Sequence, residues 1–294
     1  MSWSLPLPKH NWLPLPCPVE NCNTLTDAAV ITAAGSGTRL GAQVPKALVT
    51  VQGQTLLGLA LQRVLDSPQV ASIAITCPPD SVAAFKDVVQ EVLTNRIDTQ
   101  GNLNEGQTEQ SVADDQAAAS GPARDPLVVV VPGGASRQAS VRMGLEALHE
   151  LTLADVVLIH DAARALAPTT LIDTLVSQIS PSSPAVIPGL EVTDTIKVVD
   201  PDTGIVSATP ARSTLRAIQT PQAFQWDLLW QVHQEMRGLG DAESTAATDD
   251  AALVEAAGVS VRVIPGDPLA FKVTEPNDLI RMEEALGKVQ RKRR

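Results

Sequence analysis

Two cations flank a glycine-rich turn early in the chain. Ala33-Ala-Gly-Ser-Gly-Thr-Arg-Leu-Gly41 carries Arg39, and Val44-Pro-Lys46 follows it, so the guanidinium and the ammonium stand seven residues apart. Glycines in such a turn let backbone N–H groups approach an anion, and the two side chains add positive charge. The spacing is not a dinucleotide fingerprint, because the third glycine, Gly41, falls one place late. Nor is it a Walker loop, since Lys46 follows proline rather than glycine. A turn that also carries an Arg and a Pro-Lys points to a triphosphate.

Three later segments add groups of the same kind. Pro132-Gly-Gly-Ala-Ser-Arg-Gln-Ala-Ser140 offers Gly133 and Gly134 for close backbone approach and Ser140 for its hydroxyl. His160-Asp-Ala-Ala-Arg164 offers Asp161, a carboxylate suited to Mg²⁺ beside bound phosphates. Asp161 also reads as a turn cap, Arg164 as one half of a structural ion pair, and His160 as structural. Pro265-Gly-Asp-Pro-Leu-Ala-Phe-Lys-Val-Thr274 presents Lys272.

Short apolar runs alternating with helical stretches must position these groups. Strands are expected at Ala28–Thr32, Ala71–Thr76, Leu127–Val131, Asp155–Ile159, Pro184–Pro188 and Ser260–Ile264. Helices are expected at Thr55–Leu65, Asp80–Leu93, Ser136–Leu151, Thr169–Ile179, Trp226–Arg237, Asp249–Ala257 and Glu275–Leu286. This order predicts an α/β, Rossmann-like fold: a mostly parallel twisted sheet with helices on both faces and ligands at the strands' carboxyl ends. Thr195–Val199 and Gly204–Ala208 flank Asp200-Pro-Asp-Thr-Gly204 and read as a protruding β-hairpin arm, 192–212. Residues 1–26 read as a disordered Pro-rich extension, 27–286 as one domain, 94–125 as an exposed insertion without period, and 287–294 as a basic tail.

Composition narrows the field. With 22 basic and 33 acidic residues the net charge is −11, and seven aromatic side chains, none of them Tyr, make a poor base-stacking platform. Nucleic acid is therefore not an expected partner. No run reaches the roughly 18 apolar residues of a membrane helix, so no membrane association is expected. Three cysteines, Cys17, Cys22 and Cys77, form neither a disulfide framework nor a zinc pattern, which fits a cytoplasmic protein.

The segments AAGSGTRL…PK, GGASRQASV, HDAAR, TDTIK, ARSTLRAIQTPQAF, ATDDA and FKVT occur in the order found in the 2-C-methyl-D-erythritol 4-phosphate cytidylyltransferases. The chain resembles that nucleotidyltransferase family over residues 27–286. The resemblance implies that Arg39 and Lys46 stabilise the transition state at the CTP α-phosphate, and that Asp161 holds Mg²⁺. Ala33, Ala34, Gly35 and Gly37, with Gly133 and Ser140, would hold the cytidine and its triphosphate. Lys272 and Arg212 would position the methylerythritol phosphate, with Thr195 and Thr248 helping, and Arg164 and Thr220 would belong to the substrate-binding set. It further implies a homodimer whose arm reaches the neighbouring subunit's site. A fused cyclase domain, carried by some relatives, is not expected here. Two positions depart from the family: Ala165 stands where relatives carry Pro, and Leu269 where many carry Asp, so Asp267 becomes the candidate second metal ligand.

The implied reaction is attack by a phosphate monoester oxygen on the α-phosphorus of CTP. A monoester's second pKa is about 6, so the nucleophile is ionised at neutral pH and needs no general base. Relief of anion–anion repulsion is what it needs, and Arg39, Lys46, Lys272 and one Mg²⁺ would supply that. Two rival readings are a cytidylyltransferase acting on another polyol phosphate, such as ribitol 5-phosphate, and a nucleotide-binding module without turnover.

Overall fold

The computed structural model describes residues 27–35, 37, 40–105, 126–237 and 247–293. The N-terminal extension and Arg39 lie outside them. Twelve strands and seven α-helices are found among the described residues. In chain order they are β1 (Asp27–Thr32), β2 (Thr50–Val51), β3 (Gln54–Thr55), α1 (Leu56–Leu65), β4 (Val70–Cys77), α2 (Val82–Glu105), β5 (Leu127–Pro132), α3 (Arg137–His149) and β6 (Val156–Asp161). There follow α4 (Thr169–Ser177), β7 (Ala185–Glu191), β8 (Val198–Val199), β9 (Val206–Ala208), β10 (Arg216–Ile218), β11 (Gln222–Gln225), α5 (Trp226–Glu235), α6 (Asp250–Ala256), β12 (Arg262–Pro265) and α7 (Pro276–Arg293).

The main sheet runs β10-β7-β11-β6-β1-β4-β5, with β12 paired to β7. Strands β6, β1, β4 and β5 are mutually parallel, and β11 inserts antiparallel between β6 and β7. Alternation along β1 assigns its side chains to two cores. Ala29 and Ile31 face Leu57, Leu61 and Phe85 under α1 and α2, whereas Ala28 and Val30 face Val141, Leu145 and Leu229 under α3 and α5. Both faces are thus covered, as a parallel sheet requires. A third cluster, with Leu56, Val273 and Met282, fastens α7 over α1.

Four expectations needed correction, the first being the basic tail at 287–294, of which residues 287–293 continue α7. Helix α2 continues to Glu105, so residues 94–105, read as part of a structureless insertion, are helical; residues 106–125 lie outside the described set. That stretch has only Ile97 and Leu103 as large apolar residues, six apart and forming no stripe, so its helix propagates from the anchored turns before it rather than from its own pattern. Strand β6 runs through His160 and Asp161 instead of ending at Ile159. Strands β10 and β11 had no counterpart in the periodicity, being three and four residues long. The arm forms with shorter strands than expected: β8 pairs antiparallel with β9, and Ile196, Val198, Val199, Ile205 and Val206 all stay exposed. Among the described residues no helix is long and apolar enough to cross a membrane.

Candidate active site

Asp161 sits at the carboxyl end of β6, where the register with β1 sets it beside Thr32. Thr32 Oγ1 donates to Asp161 Oδ1 at 3.1 Å, and the Asp161 N–H donates to Thr220 Oγ1 at 3.0 Å. Each carboxylate oxygen also faces a cation: Arg137 Nε donates to Oδ1 at 3.1 Å and Lys272 Nζ to Oδ2 at 2.7 Å. Burial pushes the Asp161 carboxyl up, but Arg137, Lys272 and Arg164 outweigh it and hold it far below the usual carboxylate range. Lys272 reaches this position because the Val273 N–H docks on Ala163 O at 2.8 Å, alongside the same β6 end. His160, next in the strand, is fully buried; desolvation pushes its imidazole down to about 4, so it is neutral and structural.

Around Asp161 opens a cleft of about 500 Å³, lined by Ala33, Ala34, Gly35, Lys46, Gly134 and Ser140. Close approach explains two of the glycines. A Cβ on Gly133 would meet Ala34 Cβ and Ser140 Oγ at 2.8 Å, and one on Gly37, whose φ is +68°, would meet Lys46 Cβ at 2.8 Å. Gly37 therefore brings the Lys46 segment against the turn. Ser140 Oγ accepts from the Gly134 N–H at 3.1 Å and donates to Ser136 O at 2.9 Å, so this hydroxyl pins the glycine turn onto α3.

A second, smaller cleft of about 150 Å³ shares Asp161, Arg137 and Lys272 with the first and adds Arg164, Thr220 and Thr248. Arg164 donates to Ala270 O at 2.7 Å and Ile218 O at 3.2 Å, tying two late loops to the site. Two anions seated in the two clefts would meet at the Asp161 carboxylate and its cations.

Of the residues read from the sequence, Ala33, Ala34, Gly35, Lys46, Ser140, Asp161 and Lys272 come together in the larger cleft, and Arg164, Thr220 and Thr248 join at the smaller one. Thr195 and Arg212 do not. They lie on the exposed arm, where Arg212 Nη1 donates to Thr193 O at 2.7 Å. Asp267 also stands apart from both clefts; its Oδ1 accepts the Leu269 N–H at 2.7 Å, so it caps a turn rather than completing a metal shell. Arg137 went unassigned in the sequence, although GGASRQASV contains it. Its placement as the first residue of α3 beside the glycine turn was the available signal.

No cluster of three His, Cys, Asp or Glu side chains able to hold a metal occurs among the described residues. Asp161 is the one carboxylate among the described residues lining the larger cleft. That suits Mg²⁺, which commonly binds one or two carboxylates and fills its shell with phosphate oxygens and water.

The model of the family described as 2-C-methyl-D-erythritol 4-phosphate cytidylyltransferase matches residues 28–113 and 108–288. The chain belongs to this family. A 2-C-methyl-D-erythritol 4-phosphate cytidylyltransferase of Streptomyces avermitilis is 38% identical over 267 residues, covering 89% of this chain and 92% of that protein. A bifunctional IspD/IspF enzyme of Clavibacter michiganensis is 43% identical over 262 residues, 88% of this chain but 54% of its own length. Among solved structures, the 4-diphosphocytidyl-2C-methyl-D-erythritol synthase of Anaerococcus prevotii superposes with a TM-score of 0.67 at 25% identity, covering 90% of this chain and 97% of that one. The cytidylyltransferase of Thermus thermophilus gives 0.59 at 28% identity, covering 88% and 98%.

Proposed function

We propose that CTP occupies the larger cleft and 2-C-methyl-D-erythritol 4-phosphate the smaller one. A monoester oxygen of the polyol phosphate attacks the α-phosphorus. The bond from that phosphorus to the β-bridging oxygen breaks, and pyrophosphate leaves with the electron pair. The products are 4-diphosphocytidyl-2-C-methyl-D-erythritol and pyrophosphate, and the reaction serves isoprenoid precursor synthesis in the cytoplasm. The observation that carries this reading is the single carboxylate at the junction of two clefts with a cation on each of its oxygens.

The nucleophile arrives ionised, so the protein has no proton to remove. Its task is electrostatic. Lys46, with Arg39, neutralises charge developing on the α-phosphate, and Lys272 and Arg137 draw the polyol phosphate towards it. Asp161 would hold a divalent cation, Mg²⁺ by its oxygen chemistry, and that ion would offset charge on the triphosphate. Ala33, Ala34, Gly35, Gly37 and Gly133 leave room for backbone N–H groups to meet phosphate and nucleoside. Arg212 and Thr195 reach a site only if the arm crosses to a second copy of the chain, and the exposed apolar residues of the arm support such a homodimer.

Purified protein supplied with CTP and Mg²⁺ should release pyrophosphate with 2-C-methyl-D-erythritol 4-phosphate at a kcat/KM at least about tenfold above that with ribitol 5-phosphate. A preference for ribitol 5-phosphate would overturn the substrate. Pyrophosphate release with neither polyol phosphate would favour the binding module.

A further inference from the structure

A line of charged side chains leaves the cleft and runs into the core. Arg137 turns its Nε towards Asp161 at 3.1 Å and its Nη1 towards Asp250 Oδ2 at 2.7 Å. The other oxygen of Asp250 accepts from His233 Nε2 at 2.9 Å. The line crosses three elements: Arg137 opens α3, Asp250 opens α6 and His233 lies in α5. Only its outer end meets solvent. The Arg137 side chain is 20% exposed, while those of Asp250 and His233 are each 1% exposed.

A carboxylate buried this deeply is costly unless it is paired, and a fully apolar replacement of the whole pair often serves stability as well or better. What Asp250 adds is a fixed anchor. The guanidinium is a planar fork, so fixing Nη1 to a core carboxylate sets the direction of Nε. Arg137 held by Asp161 alone would be free to swing; tied at its inner end, it keeps Asp161 in place between itself and Lys272 while its charge still faces the smaller cleft. His233 then fixes Asp250. A carboxylate oxygen can only accept, so His233 Nε2 carries the proton. Burial pushes the Asp250 carboxyl up, but Arg137 and His233 outweigh this and keep it ionised.

We propose that Asp250 and His233 are positioning residues for the transfer, acting through Arg137 to orient Asp161. The inference rests on the function proposed above. The test measures kcat, KM for CTP and melting temperature for His233→Leu, His233→Gln, Asp250→Asn and Arg137→Lys, for Arg137→Lys combined with His233→Leu, and for Asp161→Asn. Rates are taken well below every melting point. His233→Leu and Asp250→Asn should each lower kcat about tenfold with KM for CTP little changed, the scale of losing an outer partner of a site ligand. His233→Gln, which restores an N–H donor, should recover most of the loss. On the Arg137→Lys background His233→Leu should cost less than about twofold further, because residues acting through one group are not additive.

A kcat for His233→Leu within about twofold of the parent would overturn the proposal, as would a full loss repeated on the Arg137→Lys background. If one of His233→Leu and Asp250→Asn does not fold, the other decides. If neither folds, the pair is scaffold and the proposal fails. Asp161→Asn separates the two layers: parent-like turnover there sinks the site and this inference together. An inactive Asp161→Asn beside a parent-like His233→Leu sinks this inference alone.

Discussion

Lys46 and Asp161 carry opposite charges on the same cleft, and their substitution should have different signatures. Removing a cation that acts on developing charge costs on the order of 10²–10³ in turnover. Lys46→Ala should therefore depress kcat over that range while leaving CTP affinity, measured by calorimetry, within a few-fold. A fall of less than about tenfold would take Lys46 out of the transition state. A buried carboxylate far from the site makes a second residue-scale prediction. Asp27, at the start of β1, is pushed up to about 6 by desolvation and by the nearby Asp155 charge. Its folded value thus lies above its unfolded value of 3.8, so the unfolded chain gives up the proton first and stability falls as pH rises between the two. Asp27→Asn should raise the melting temperature by several degrees at pH 7.5 and hardly at all at pH 3.5. An equal gain at both pH values would contradict this. Chemistry-bearing residue types were legible from the sequence where glycine, proline and charge stood together, as at Lys46 and Lys272, or where a charge closed an apolar run, as at Asp161. Arg137 carried such a signal beside its glycine turn, but its link to Asp250 and His233 was not legible, because three residues on three helices become neighbours only through tertiary packing.

At the scale of elements, period decided what could be read. Strands β1, β4, β5 and β6 and helices α1, α3 and α4 announce themselves through apolar runs and stripes buried on both faces of the sheet. Strands β10 and β11 do not, because three or four residues carry no period and their pairing is long-range. Yet β11 sets the antiparallel neighbour of β6, and the Thr220 hydroxyl just before it receives the Asp161 N–H. The far half of α2 was hidden for the opposite reason, a helix without an apolar face. Arg96 in that half donates to Asp66 beyond the end of α1 at 3.0 Å. Replacing residues 106–125 with a short Gly/Ser linker should leave melting temperature and activity near the parent, since closure entropy changes slowly with loop length. Replacing 94–125 removes about three further turns of helix and should lower the melting temperature by several degrees. Identical melting of the two variants would show that the distal helix contributes nothing.

For the whole molecule, the decisive feature is a hairpin whose apolar side chains stay exposed among the described residues. A two-stranded ribbon is marginal in water by itself. Here it carries five exposed Ile and Val side chains, with Ile205 67% exposed. Arg212 and Thr195 sit at its base, away from both clefts of their own chain, whereas Lys46, Asp161 and Lys272 converge without them. A site assembled from one chain's clefts and a second chain's arm reconciles these facts, and the planar fork of Arg212 suits a phosphate. The measurement that tests this composite site most directly is complementation between two inactive variants. Arg212→Ala chains and Lys46→Ala chains are mixed, heterodimers are isolated through two different tags, and pyrophosphate release from CTP and 2-C-methyl-D-erythritol 4-phosphate is recorded. With a shared site, one of the two centres in each heterodimer inherits both intact groups, and activity should recover towards half that of the parent dimer. If each Arg212 serves the Lys46 of its own chain, every centre lacks one group. Activity in verified heterodimers would then stay at the level of the single variants, contradicting the shared site.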